Sequence, residues 1–205
     1  MITLYHLTQS RSQRIVWLLE ELDLEYDLQA FDRNPETGLA PDIFKTFHPL
    51  GKAPVLVDGE VTLAESGAIV EYLIDKYGQN RLKPNFATKA YYQYIQWLHY
   101  AEGSLMMALM VFRLAKEEVK ERYALDNAMT HLSYLDQHLM HHHWLLGKDL
   151  TGADFMVSFP AQFVTAMMGD KFPNIARYAE QIASYPSYLK AIEKVGQLDF
   201  SQLKG

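Results

Sequence analysis

Residues 51–77 read GKAPVLVDGEVTLAESGAIVEYLIDKY, and this stretch decides the fold. Pro54-Val55-Leu56-Val57 and Val61-Thr62-Leu63 flank Asp58-Gly59. Two apolar runs joined through Asp-Gly predict a hairpin, because that dipeptide accepts the positive φ a tight turn demands. Residues 66–77 follow as a helix with Ile69, Leu73 and Tyr77 on one face. Upstream, Ile2 to His6 reads as a strand. Residues 11–22 carry Ile15, Leu18, Leu19 and Leu22 at the i, i+3, i+4, i+7 spacing of an apolar helix face. Tyr26, Leu28 and Ala30 then alternate with Asp27, Gln29 and Phe31 as a second strand, closed by loop signals at Asn34-Pro35 and Gly38 to Pro41. The order is β-α-β followed by β-β-α.

Gly78 to Pro84 gathers Gly, Asn and Pro between helical patterns and predicts a linker. Beyond it every periodicity is helical, with long helices over 88–115 and 117–142 and shorter ones near 152–169, 173–184 and 187–195. The expected architecture is an α/β thioredoxin-like N-terminal domain over residues 1–79 plus an all-α C-terminal domain over 86–205. At the start of the 152–169 helix, Thr151 and Asp154 sit at the positions of a capping box, with Leu150 and Phe155 as a hydrophobic staple. Pro160 inside that helix is expected to kink it near Met156.

Composition narrows function. The chain has 205 residues, 49% of them hydrophobic, enough for one large core or two smaller ones. Its longest apolar stretch, Leu105 to Phe112, is far short of the roughly 20 residues a membrane helix needs. Met1 runs into a strand-like segment with no basic and apolar leader, so the expected compartment is the cytoplasm. A net charge of -6 without a basic cluster argues against nucleic acid. There are no cysteines, so any thiol chemistry must arrive with a ligand.

Three fragments could bind such a ligand. The corner after the first strand reads Tyr5-His6-Leu7-Thr8-Gln9-Ser10-Arg11-Ser12. A thiol of ordinary pKa, about 8.5, is only slightly ionised at neutral pH. Lowering it by about 2 units takes roughly 2.7 kcal/mol, within reach of a hydroxyl hydrogen bond plus a helix N-terminus. Ser10, expected as the cap of the 11–22 helix, is placed for both, with Ser12 and Arg11 as the next candidates. A plain helix cap, the commonest use of a serine there, is the alternative reading of Ser10. The second fragment is Gly51-Lys52-Ala53-Pro54, where a cis proline would turn the Ala53 backbone toward an extended peptide and Lys52 could meet a carboxylate. A trans proline beside a solvated lysine is the alternative. In the third, Ser66 as a helix cap would leave amides free for an α-carboxylate while Glu65 neutralises an α-amine.

In this order and spacing the segments SRSQRIVWLLEEL, HPLGKAPVLVDG, LAESGAIVEYL and TGAD resemble the cytosolic glutathione transferases over nearly the whole chain, and among them bacterial and fungal serine-type members. The resemblance implies glutathione as co-substrate and no metal. It makes Ser10 the thiolate partner, with Tyr5 its rival. It assigns Lys52 to the glycyl end of glutathione, Ala53 to the cysteinyl backbone, and Glu65 and Ser66 to the γ-glutamyl end. The implied activity is detoxifying conjugation of a small apolar electrophile, or reduction of a hydroperoxide, by a homodimer. A non-catalytic glutathione-binding or regulatory protein of the same fold is the alternative. The chain departs from the family in His48, where asparagine is frequent, and in Ala53, where valine is.

Two further clusters have plain readings. His138 and His142 lie at i and i+4 and could face one ion, but no carboxylate or cysteine completes a site, so a solvated helix end is expected. Met106, Met107, Met110 and Phe112, with Tyr91, Tyr94, Trp97 and Tyr100 upstream, read as core or interface. Methionine's flexibility would also suit a pocket for varied apolar acceptors.

Overall fold

The computed structural model describes residues 1–200, the side chains of Glu121 and Asp170 excepted. Residues 201–205, included in the expected second domain, lie outside the described residues. The chain divides into two compact units, Met1–Gln79 together with the segment beginning at Ala183, and Asn80–Ile182.

In the first unit, β1 (Ile2–Leu7), α1 (Gln13–Glu21) and β2 (Tyr26–Phe31) form the β-α-β step, followed by a short α2 (Phe44–Phe47), β3 (Val55–Asp58), β4 (Val61–Leu63) and α3 (Ser66–Tyr77). The sheet order is β2-β1-β3-β4. β1 and β2 are parallel, as a helical crossover requires, and β3 runs antiparallel to both β1 and β4. Gly59, at φ 64°, supplies the left-handed residue of the hairpin turn. Leu4, Ile15, Leu18, Leu19, Leu56, Ile69 and Leu73 have no exposed surface and form the core between sheet and helices. Each such side chain contributes about 1.5–3 kcal/mol by leaving water.

Sequence periodicity identified one apolar face of α1, but the helix is buried from Gln13 through Leu19. Its far side is covered by the last helix, α10 (Pro186–Val195). Trp17 Nε1–H donates to Ser187 Oγ at 2.9 Å, Ser187 donates to Glu21 at 2.6 Å, and Tyr188 OH donates to Gln13 Oε1 at 3.0 Å. The last helix therefore joins the first unit.

The second unit contains α4 (Lys89–Tyr100), α5 (Met107–Leu114), α6 (Glu117–Val119), α7 (Leu125–Met140), α8 (Gly152–Met168) and α9 (Pro173–Ala183). The long helices expected over 88–115 and 117–142 are each interrupted by a π turn, at Ala101–Met106 and Lys120–Ala124. Tyr94, Trp97 and Met106 belong to the core, whereas Met107 is exposed. α8 continues through Pro160.

The capping box is present. Thr151 donates to Asp154 through its N–H (2.8 Å) and its hydroxyl (2.9 Å). Asp154 also accepts Leu145 N–H at 2.9 Å and Tyr178 OH at 2.7 Å, so a cap residue becomes the hub of a buried polar network. Among the described residues no helix is long and apolar enough to cross a membrane.

Candidate functional site

The sheet register gathers the three candidate fragments. β1 and β3 pair Tyr5 with Val55, and continuing that register by two residues sets Ala53 level with Leu7. β3 and β4 pair Leu56 with Leu63, which sets Glu65 level with Pro54. The end of β1, the loop before β3 and the start of α3 thus share one end of the sheet.

At the end of β1 the chain turns through Thr8 to Ser12, with Gln9 at φ 54°. Arg33 braces the turn by donating to Gln9 O and Gly38 O, each at 2.8 Å. α1 begins at Gln13, not at residue 11, and its cap residue is Ser12, which makes no side-chain capping bond. The expectation that Ser10 caps this helix is therefore corrected. The amides of Gln13, Arg14 and Ile15 are taken by the carbonyls of Ser10, Arg11 and Ser12, and so are not free for a ligand.

A hydroxyl network occupies the corner instead. Ser10, 8% exposed, donates to Leu7 O at 2.8 Å and accepts Ser12 N–H at 3.2 Å. Ser10 Oγ lies 2.7 Å from Ser12 Oγ, which lies 2.7 Å from His6 Nδ1 and accepts Leu7 N–H at 3.2 Å. Burial lowers the His6 pKa from its usual 6.5 to about 4. Sequence analysis did not select His6. The available signal was parity, since His6 shares the alternation of Ile2 and Leu4 on a central strand, where a buried imidazole needs a hydrogen-bond partner.

Tyr5 is half-buried and its ring stacks on Phe47 with centroids 3.8 Å apart. Phe31 and Phe44 extend this aromatic cluster around α2, an element that sequence periodicity missed. Tyr5 thus has a packing role that Ser10 lacks.

Before β3, the Ala53–Pro54 bond is cis and Lys52 is exposed. His48 Nδ1 accepts Leu50 N–H at 3.3 Å. An asparagine oxygen makes the same contact two residues on in an Asx-turn, so the departure at His48 keeps the local turn chemistry. Gly51 is at φ 60°, and a Cβ there would meet Lys45 Cγ at 2.9 Å.

At α3 the cap is Glu65 and Ser66 is the first helical residue, which corrects the expected Ser66 cap. Ser66 is buried, Glu65 is exposed, and Ile69 N–H bonds Glu65 O at 3.0 Å. Glu65 holds φ 70°, a left-handed conformation that costs a non-glycine residue about 1–3 kcal/mol and that clusters at ligand sites. The amides of the first turn have no acceptor within the helix and suit an anion.

The histidine cluster is accounted for by structure. His138 Nε2 faces Leu145 O at 2.8 Å and His142 Nδ1 faces His138 O at 2.7 Å, so each spends a nitrogen on a carbonyl. Their rings stack at 4.1 Å, and His138 lies against Trp97. Among the described residues no group of three or more His, Cys, Asp or Glu could hold a metal.

The chain is similar to known proteins over both units. Residues 1–75 match the family model of the glutathione S-transferase N-terminal domain, and residues 102–186 that of the C-terminal domain. Glutathione S-transferase 3 of Schizosaccharomyces pombe is 35% identical over 95% of this chain and 88% of its own. A glutathione S-transferase structure from Actinobacillus pleuropneumoniae superimposes with a TM-score of 0.90 at 43% identity, covering 98% of this chain and 96% of that one. A glutathione transferase family member from Pseudomonas fluorescens, solved with two glutathione bound, gives 0.73 at 27% identity over 94% and 92% of the two chains. Two family domains matched in order, with relatives that span the chain nearly end to end, establish that this protein belongs to the glutathione S-transferase family.

Proposed function

We propose that the protein conjugates reduced glutathione to small apolar electrophiles in the cytoplasm, as a detoxifying transferase. The observation that carries this reading is the convergence of a buried serine hydroxyl, an exposed lysine beside a cis Ala53–Pro54 bond, and a strained Glu65 ahead of a helix start, all at one end of one sheet. In this reading Ser10 donates to the thiolate, giving up Leu7 O as its acceptor. Lys52 meets the glycyl carboxylate, and the Ala53 N–H and C=O pair with the cysteinyl backbone. Ser66 and the first α3 amides hold the γ-glutamyl carboxylate, and Glu65 its ammonium. The protein then contributes a stabilised thiolate and proximity to the acceptor. Hydroperoxide reduction would use the same thiolate.

Calorimetry with reduced glutathione tests the binding site. The pair Glu65→Ala and Ser66→Ala is expected to weaken binding tenfold or more, about 1.4 kcal/mol, and an unchanged affinity would overturn the assignment. Turnover against aryl halides, epoxides and organic hydroperoxides tests the chemistry. Binding with no turnover on any of them would identify a non-catalytic glutathione-binding protein.

The protein is further proposed to act as a homodimer. Phe86, ahead of α4, and Tyr92 on it are 79% and 61% exposed, more aromatic surface than a monomer ordinarily leaves in water. Light scattering at micromolar concentration is expected to return the mass of two chains, and a one-chain mass would refute this.

A further inference from the structure

Three short contacts run in series through the corner. His6 Nδ1 to Ser12 Oγ is 2.7 Å, Ser12 Oγ to Ser10 Oγ is 2.7 Å, and Ser10 Oγ to Leu7 O is 2.8 Å. Each needs one proton. Leu7 O can only accept, so Ser10 must donate to it. Ser12 must then donate to Ser10, or two oxygens would face each other at 2.7 Å with no proton between them. Ser12 Oγ also lies 3.2 Å from Leu7 O, but that contact is longer and goes to an oxygen Ser10 already serves at 2.8 Å, so the single Ser12 proton goes to Ser10 at 2.7 Å, and the His6 contact is then supplied by His6 itself, as the Nδ1–H tautomer.

The backbone amide donors of the corner agree with this count. Ser12 Oγ accepts Leu7 N–H and His6 Nδ1–H, Ser10 Oγ accepts Ser12 N–H and Ser12 O–H, and each hydroxyl donates once. Each serine oxygen thus accepts two hydrogen bonds and donates one, with Ser12 Oγ–Leu7 O at 3.2 Å left as a longer, secondary contact. The leftover lone pair falls on His6 Nε2, which has no hydrogen-bond partner among the described residues.

Resting on the reading of Ser10 as the thiolate donor, we infer that His6 and Ser12 are positioning residues that drive the Ser10 hydroxyl toward the glutathione sulfur through a one-way donor chain. Each bond in such a chain polarises the next, so a serine that accepts two hydrogen bonds donates more strongly through its own proton. Ser12 has no exposed surface and His6 is 1% exposed, so neither can touch the ligand, and Ser10 is the one member that can turn its proton outward. The chain also holds Ser10 Oγ in place before the ligand arrives.

The test is spectroscopic titration of the bound thiol in the full-length protein. Ser10→Ala is expected to raise the thiol pKa by one unit or more, and Tyr5→Phe to leave it in place. Ser12→Ala and His6→Leu are each expected to raise it by about half a unit to one unit, a three- to tenfold loss of thiolate and of rate at neutral pH. Affinity for S-methylglutathione, which has no thiol to ionise, should change less than twofold. His6→Asn, whose amide N–H can stand where the ring Nδ1–H stood, should recover most of the shift. Ser12→Ala added to Ser10→Ala should change nothing more.

If Ser10→Ala leaves the thiol pKa unmoved, the Ser10 reading and the chain fall together. If Ser10→Ala raises it while Ser12→Ala and His6→Leu do not, the chain alone is overturned. Equal losses in S-methylglutathione binding and thiol ionisation would assign His6 and Ser12 to folding only. Should Ser12→Ala fail to fold, the contrast between His6→Leu and His6→Asn decides, and no difference between them overturns the inference.

Discussion

Asp154→Ala is expected to destabilise the helical unit by about 3–5 kcal/mol, since each stranded buried donor costs about 1–3 kcal/mol and part of that is relieved by relaxation. In a chain of this size that lowers the melting temperature by roughly 10 °C. A lost helix cap alone would cost only about 1 kcal/mol. The larger figure follows from burial. Asp154 is fully buried and takes four hydrogen bonds, from Leu145 N–H, Thr151 N–H, Thr151 OH and Tyr178 OH. Alanine would strand all four donors, two of them backbone amides that cannot turn away. Burial pushes the Asp154 carboxyl pKa up, and the donated bonds oppose that push. Tyr178→Phe removes one donor and keeps the acceptor, so it should cost about 1 kcal/mol. Denaturant melts of the three proteins check this, and an Asp154→Ala variant within 1 kcal/mol of its parent would contradict it. Because Asp154 is not among the candidate ligand residues, the turnover of the fraction that stays folded should be unchanged.

The second large effect is acid sensitivity centred on His6. Its folded pKa, about 4, lies below the ordinary 6.5 because burial disfavours the imidazolium and Nε2 has no acceptor for a second proton. Below pH 6.5 the unfolded chain therefore binds a proton that the folded chain refuses until about pH 4. The His6 contribution is fully present above pH 6.5, falls at up to about 1.4 kcal/mol per unit of pH, and is lost by pH 4. The whole step is roughly 3 kcal/mol. His6→Asn removes the titrating ring, so its stability should depend less on pH over this window even if its absolute stability is lower. Denaturant melts of both proteins at intervals between pH 7 and 4 check this. Parallel stability curves would show that another group carries the acid sensitivity. Asp58 acts lower on the scale. Hydrogen bonds from Lys76, Tyr77 and Tyr72 hold its pKa at about 2, so its contribution persists above the ordinary carboxylate range and fades only as pH falls toward 2.

The features legible in the chain were those decided within a few residues. Asp58-Gly59 between two apolar runs made a hairpin because the turn's φ requirement is local, and Thr151 to Asp154 made a capping box because both bonds close within one helical turn. Ser10, Lys52, Ala53, Glu65 and Ser66 were readable as candidates because each occupies a recognisable fragment, and the register brings those fragments to one end of the sheet. What local pattern misjudged was which backbone groups remain free. Ser10 and Ser66 both look like caps, yet Ser12 and Glu65 hold those positions, and the first amides of α1 are already bonded to the turn before it.

Other features depended on contacts between distant parts of the chain. Trp17 and Gln13 lie off the apolar face of α1, and only the return of α10, some 170 residues later, explains their burial. Tyr5 reads as a rival hydroxyl, and only the fold shows that Phe47 stacks on its ring. His6 looked like an ordinary strand residue until β2 and β3 flanked β1 on both sides and left its ring no water, only the hydroxyl of Ser12. The sequence by itself determined most of the elements, their order and the fragments proposed to hold a tripeptide thiol, because turn and period are set by neighbours along the chain. Tertiary structure alone decided which side chains lost their water, and that burial is what leaves Ser10, Ser12 and His6 bonded to one another.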